Sequence, residues 1–214
     1  MLDYFDRFDQ IIDEMYKDKK YLAAEVTKLG YPKFINSIPT AGVKWDDKSN
    51  KICFLFNKDF WDKLDNKQLA FIVSHEACHF IFGHIFYMKE KLDRFSNNNK
   101  IDINEVKMKL NIAMDCVVND GLVEWYKFDK IFDKDTDAIK LYYGEPTVNL
   151  NCADMTAEDV YYLLPEDILG GHTGHEGWDS FFDANGELKE KFVKKIKEFI
   201  ERNQQSSHMS DEEM

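Results

Sequence analysis

The chain has 214 residues, of which 44% are hydrophobic, and this length and composition suit a single domain with a substantial core. Its formal net charge of −12 disfavours binding to nucleic acids and to anionic membranes, since both need a basic face. The sequence contains no signal-peptide pattern, no run of 18 uncharged apolar residues and no C-x-x-C pair among its four cysteines. We therefore expect a cytoplasmic protein with free thiols and with neither nucleic-acid nor membrane partners.

The first part of the chain is predicted to form a long helix followed by a β-hairpin. Apolar residues repeat at intervals of three and four over residues 2–29, which predicts an N-terminal helix that ends at Gly30 and Pro32. Two strand-like runs around a turn-rich segment predict a hairpin over about residues 41–57. Such a hairpin either covers the core or pairs with an extended peptide substrate, and the sequence leaves both open.

After the hairpin, the sequence predicts two helices, which carry the candidate site residues discussed below. The first spans about residues 66–88 and begins after a capping residue, Asp65. A charged segment over residues 89–100 is predicted to be a loop. The second helix spans about residues 104–122, with Asn104 as its cap.

The last third of the chain is predicted to add two further helices. Thr156 and Asp159 form a capping pair at the start of a short helix, and an amphipathic helix follows over about residues 187–201. Residues 203–214 are polar and are predicted to be a disordered tail, which gives a single domain over residues 1–202.

A short metal-binding motif, H-E-x-x-H, lies within the first of the two central helices. His75 and His79 are four residues apart, so on a helix both imidazoles project from one face, where they suit Zn2+. Glu76 lies about 100° round the helix, within reach of a water that the metal activates. A chance match would bury this glutamate in an apolar helix without a partner, which is costly. The motif therefore predicts a zinc site with Glu76 as general base.

A catalytic zinc usually takes a third protein ligand, and the second central helix offers one. Asp115 is a carboxylate in an otherwise apolar helix, and this makes it the favoured candidate. Asn119, one turn later, would orient Asp115 or accept a hydrogen bond from a ligand histidine. Cys116 and His84 stay open as alternatives, although on an unbroken helix His84 points about 180° away from His75.

A glycine-rich segment near the C-terminal end carries two more histidines. The run G-G-H-T-G-H-E-G-W places His172 and His175 in a loop that we expect to be mobile. Either side chain could bind the metal when no substrate is present, or donate a hydrogen bond to the oxyanion of a tetrahedral intermediate. His175 is the preferred catalytic residue, because Trp178 lies three residues further on and can anchor the loop.

Over most of residues 20–180 the sequence resembles a metallopeptidase domain of bacteria and phages that often precedes a von Willebrand A-like domain. The similarity rests on four segments: I-C-F-L-F-N (Ile52–Asn57), the run that ends in H-E-A-C-H-F-I-F-G-H (Leu64–His84), N-I-A-M-D-C-V-V-N-D-G-L (Asn111–Leu122) and H-E-G-W (His175–Trp178).

The resemblance implies a zincin-like fold and a set of site residues. His75 and His79 are expected to bind zinc with Glu76 as base, and Asp115 fits the gluzincin layout, in which a downstream helix supplies the third ligand. No von Willebrand A-like sequence follows here, so we expect a separate partner to replace that domain.

The sequence thus predicts a single α+β domain of zincin type, with a small sheet, a buried H-E-x-x-H helix and a second ligand-bearing helix. Its predicted function is zinc-dependent hydrolysis of peptide or protein substrates. The alternative is a non-catalytic, zinc-stabilised structural or regulatory module, for example in phage assembly, which a fourth protein ligand would favour. Peptide deformylase also uses H-E-x-x-H, but it needs a cysteine ligand in a Gly-Cys-Leu setting that Cys53 lacks.

Overall fold

The computed structural model describes residues 3–96, 102–129, 151–164, 178–185 and 187–198. These ranges are mainly helical and contain one three-stranded sheet, which confirms the predicted α+β class. The tail predicted over residues 203–214 lies outside the described residues.

Two helices stand where the sequence predicted one, so that prediction was wrong. Helix α1 spans Tyr4–Asp18 and helix α2 spans Lys20–Leu29. Lys19 between them leaves the helical conformation, with φ −123° and ψ 38°. On both sides of this break, the apolar side chains of the two helices are buried in the same core cluster.

A strand that the sequence analysis missed follows α2 directly. Strand β1 spans Gly30–Ile35 and pairs in parallel with β3, whereas Gly30 and Pro32 had indicated only the end of a helix. The predicted hairpin is confirmed as strands β2 (Ala41–Asp46) and β3 (Lys51–Asn57), which pair antiparallel. The strand order is β1-β3-β2, and a proline is tolerated in β1 because it is an edge strand.

The predicted helix over residues 66–88 is in fact two helices. After a short helix α3 (Lys58–Lys63), helix α4 spans Asn66–Ile81 and helix α5 spans His84–Ser96, with a bend of 56° between α4 and α5. Gly83 at the junction has a φ of +71°, which a continuing helix does not allow. The predicted capping box of Asp65 is present, but the loop predicted over residues 89–100 is helical as far as Ser96.

The remaining elements largely follow their predicted positions. Helix α6 spans Ile103–Glu124, and its cap is Asp102 instead of Asn104. Helix α7 spans Ala157–Leu163 behind the predicted capping box of Thr156. A 3-10 helix covers Trp178–Phe181, and the described part of the last helix, α8, covers residues 190–198.

Helix α4 lies at the centre of this arrangement. It contacts α1, α2, α5, α6 and strand β2, so its sides are covered by protein. Its own aromatic side chains Phe71 and Phe80 are buried in the same core cluster as Trp61 of α3. The polar residues of the H-E-x-x-H motif are therefore placed inside the core, where a partner or a ligand must compensate for their lost hydration.

Within the described ranges, no single helix is both long and apolar enough to cross a membrane. The bent pair α4 and α5 passes that test of length and composition when its two helices are taken together.

Candidate metal centre

Helices α4 and α6 bring two imidazoles and a carboxylate together. His75 and His79 project from the same face of α4, and their Nε2 atoms are 3.1 Å apart. Asp115, in the middle of α6, places its Oδ1 3.4 Å from Nε2 of His75 and 3.3 Å from Nε2 of His79. These three residues, which the sequence predicted as ligands, form the only cluster among the described residues that could hold a metal ion.

The spacing of the three atoms fits one small divalent cation. Ligands about 2.0–2.1 Å from a tetrahedral ion lie about 3.3–3.4 Å from one another, which is close to the separations observed here. Two neutral imidazoles and one carboxylate are also a donor set that zinc accepts. The residues present therefore fit a bound metal ion.

Asn119 holds the ring of His75. Its Oδ1 lies 2.8 Å from Nδ1 of His75, and an amide oxygen only accepts hydrogen bonds. Nδ1 of the imidazole therefore donates, which leaves the lone pair of the neutral ring on Nε2, the atom that faces His79 and Asp115. Of the two roles that the sequence left open for Asn119, the structure shows the contact with a histidine of the candidate cluster.

His84 contacts His79 on the side of the ring that faces away from the cluster. The two Nδ1 atoms are 3.0 Å apart, and both residues are buried. His84 lies next to Nδ1 of His79, whereas Nε2 of His79 faces the cluster. The structure therefore does not support His84 as the third ligand. The sequence analysis had placed His84 far from His75 on a straight helix, and it did not foresee this contact.

Glu76 is buried on α4 between the two histidines, with only 3% of its surface exposed. The cluster itself is accessible from one side: the side chain of Asp115 is 24% exposed and that of His75 11%, against 1% for His79. Among the described residues, the cluster is therefore open to solvent on the side of Asp115, and His79 is its most deeply buried member.

The cysteines weighed as ligands have other surroundings. A hydrogen bond with Cys152, burial and the nearby charge of Asp115 raise the pKa of the Cys116 thiol, so this side chain stays protonated. Cys53 is buried in β3 and interacts with Tyr31 on the neighbouring strand. Neither belongs to the metal-binding cluster, and for Cys53 this removes the feature that a deformylase would need.

The two loop histidines, His172 and His175, lie outside the described residues, so the catalytic role predicted for His175 stays a prediction. Within the described part of the chain, the contact of His84 with His79 is a polar contact of the site that the sequence analysis did not predict. Its only signal in the sequence is the glycine directly before it, which permits a change of helix direction.

Comparison with known proteins identifies no relative of this chain. No family model matches the chain, and no curated protein or solved structure gives a significant match. The class of site is therefore defined by its own geometry: a buried His-His-Asp cluster that could hold a metal ion, on two packed helices.

Proposed function

We propose that the protein is a zinc-dependent peptidase of the zincin type, with His75, His79 and Asp115 as the metal ligands. The observation that carries this proposal is the convergence of the three side chains at separations suited to a tetrahedral ion. A bound zinc ion would supply a Lewis acid that acidifies water and polarises a carbonyl oxygen.

The residues of the chain supply the remaining chemistry. Glu76 accepts the proton of the attacking water and passes it to the leaving amine, as a general base and then a general acid. Its burial in the core excludes bulk water from that transfer. Asn119 keeps the ring of His75 in place, and His175 donates a hydrogen bond to the developing oxyanion.

The outer edge of β2 is covered by other parts of the protein. The Asn57 N–H donates to the Thr40 carbonyl, so in the antiparallel register the backbone groups of Ala41, Val43 and Trp45 face away from β3. The N–H of Trp45 donates to Ser180 Oγ, while Ala41 and Val43 lie further along the same edge. Val43 is fully buried, Trp45 is 3% exposed and the 3-10 helix contacts β2, so a peptide could add to this edge only by displacing that helix. Of the two roles predicted for the hairpin, these contacts favour covering the core, and the proposal of a peptide substrate rests on the H-E-x-x-H site.

A Glu76→Gln variant tests the mechanism, because it keeps the shape of the side chain and removes its basicity. The zinc-loaded protein is incubated with a library of unfolded peptides, and new termini are identified by mass spectrometry. We expect the variant to bind zinc as the wild type does and to lose cleavage by at least about 100-fold. Glu124→Gln, which changes an exposed carboxylate at the end of α6, should cleave normally.

Two outcomes would contradict the proposal. Equal cleavage by Glu76→Gln would remove this residue from the mechanism. Zinc bound by the cluster together with a fourth protein ligand, and no cleavage of any peptide, would instead support the non-catalytic module.

A further inference from the structure

His84 contacts His79 on the edge of the ring opposite the candidate metal ligands, and this contact is not needed to form the cluster. His79 is the most buried of the three candidate ligands, with 1% of its surface exposed, and its Nδ1 lies 3.0 Å from Nδ1 of His84. His84 is 4% exposed. Two ring nitrogens at this separation need one hydrogen between them, so one imidazole donates and the other accepts.

The chemistry of metal binding decides which ring donates. His79 faces the cluster with Nε2, so this atom must carry the lone pair when a metal is bound. The hydrogen of the neutral ring is then on Nδ1, and His84 must accept it with a bare Nδ1. We propose that His84 is a positioning residue that holds His79 in its metal-binding tautomer and orientation. This role depends on the proposed metal site but not on peptide hydrolysis.

The backbone between the two histidines is shaped for this contact. On an unbroken helix, five residues turn the chain by about 500°, which would place His84 about 140° away from His79. The break at Gly83 changes this direction and turns the ring of His84 towards His79. A Cβ at Gly83 would have no heavy atom within 4 Å, so the positive φ of +71°, and not a lack of space, is what favours glycine there.

The two ligand histidines are thus held in the same way from two different helices. His75 donates from Nδ1 to Asn119 on α6, and His79 donates from Nδ1 to His84 on α5. Each Nε2 is left with its lone pair directed at the same point. Partners of this kind change metal affinity by about 10–100-fold when they are removed from other metal sites.

Two substitutions at position 84 separate hydrogen bonding from packing. His84→Asn keeps an acceptor oxygen at the same number of bonds from the backbone as Nδ1, whereas His84→Leu fills similar space without an acceptor. Zinc affinity is measured by competition with a chromophoric chelator at fixed pH, and thermal unfolding of the metal-free proteins shows whether each is folded. We expect about 10–100-fold weaker binding for His84→Leu and recovery to within about 3-fold of wild type for His84→Asn.

A direct measurement on the wild type keeps the test independent of any variant that fails to fold. In zinc-loaded protein labelled with 15N at histidine, we expect a nitrogen–nitrogen coupling across the hydrogen bond, with the proton on Nδ1 of His79 and His84 as acceptor. A proton on Nδ1 of His84, the absence of the coupling, or equal zinc affinity in wild type and His84→Leu would overturn the proposal. If wild type binds zinc without cleaving peptides, the proposed peptidase function fails, and the role of His84 is decided by the zinc affinity of His84→Leu and by the coupling. If wild type binds no zinc, both fail.

Discussion

At the scale of single residues, a hydrogen bond outside the candidate metal site connects the two edge strands of the sheet. The Tyr31 hydroxyl on β1 donates to Asp46 Oδ2 at the end of β2, at 2.7 Å, so it spans the strand between them. Asp46 also accepts hydrogen bonds from the hydroxyl of Ser49 and the N–H of Lys48. These bonds, that from Ser49 first and that from Tyr31 second, hold the pKa of Asp46 well below its usual value.

The lowered pKa predicts how this contact responds to acid. A carboxyl whose pKa is lower in the folded protein stabilises it above the unfolded pKa of about 3.9, and that contribution is lost as the pH falls through the folded pKa. We expect Tyr31→Phe to raise the pKa of Asp46, and Ser49→Ala to raise it further, in NMR titrations of the carboxyl carbon. Tyr16→Phe, whose hydroxyl contacts Thr27, should leave it unchanged. No change in Tyr31→Phe would show that the bond does not form in solution.

At the scale of secondary-structure elements, the join between α2 and the sheet depends on a close approach of two backbones. A Cβ at Gly30 would lie 2.0 Å from the carbonyl oxygen of Ile52 on β3. The φ of Gly30 is −166°, which any residue can adopt, so space alone requires glycine here. Strand β1 can pair with β3 from its first residue only because no side chain stands between them.

Gly30→Ala should therefore destabilise the fold at this join. The added methyl group must push β1 away from β3, and overpacking of this kind costs about 1–3 kcal/mol. The free energy of unfolding in urea measures the loss. Lys33→Ala, an exposed position on the same strand, is the matched control and should stay within about 0.5 kcal/mol of wild type. Equal stability of Gly30→Ala and wild type would mean that β1 does not pair as described.

At the scale of the whole molecule, the candidate site links two helices that are far apart in the chain. The ligands come from α4 and α6, so an ion bound between them would hold these helices together only in the folded state. Binding to the folded state alone raises stability, by about 2.7 kcal/mol at a free ligand concentration of 100 times Kd.

Zinc should accordingly raise the melting temperature. For a domain of this size, about 2.7 kcal/mol corresponds to a rise of roughly 5–11 °C. A chelator should reverse the shift, and Asp115→Ala should remove most of it. Glu105→Ala, which changes an exposed carboxylate in the first turn of α6, should keep it. An undiminished shift in Asp115→Ala would place the zinc elsewhere on the protein.

The amino-acid sequence by itself determined the features that depend on neighbours in the chain. The spacing of His75 and His79 fixes their common face on any helix, and the capping box at Asp65 marks where that helix begins. Asp115 could be identified because a carboxylate stands out in an apolar helix, although its distance to the histidines could not be known.

The tertiary structure decided the features that depend on residues distant in the chain. Strand β1 was missed because parallel pairing with β3 gives no local signal, and Gly30 with Pro32 is equally typical of a helix end. Gly83 was recognised as a possible break, but one helix was predicted because apolar periodicity continues through it, and packing on both sides selects the change in direction. The contact of His84 with His79 follows from that bend. The packing of α5 against α4 and α6 sets the direction of α5, and this direction sets where the side chain of His84 points.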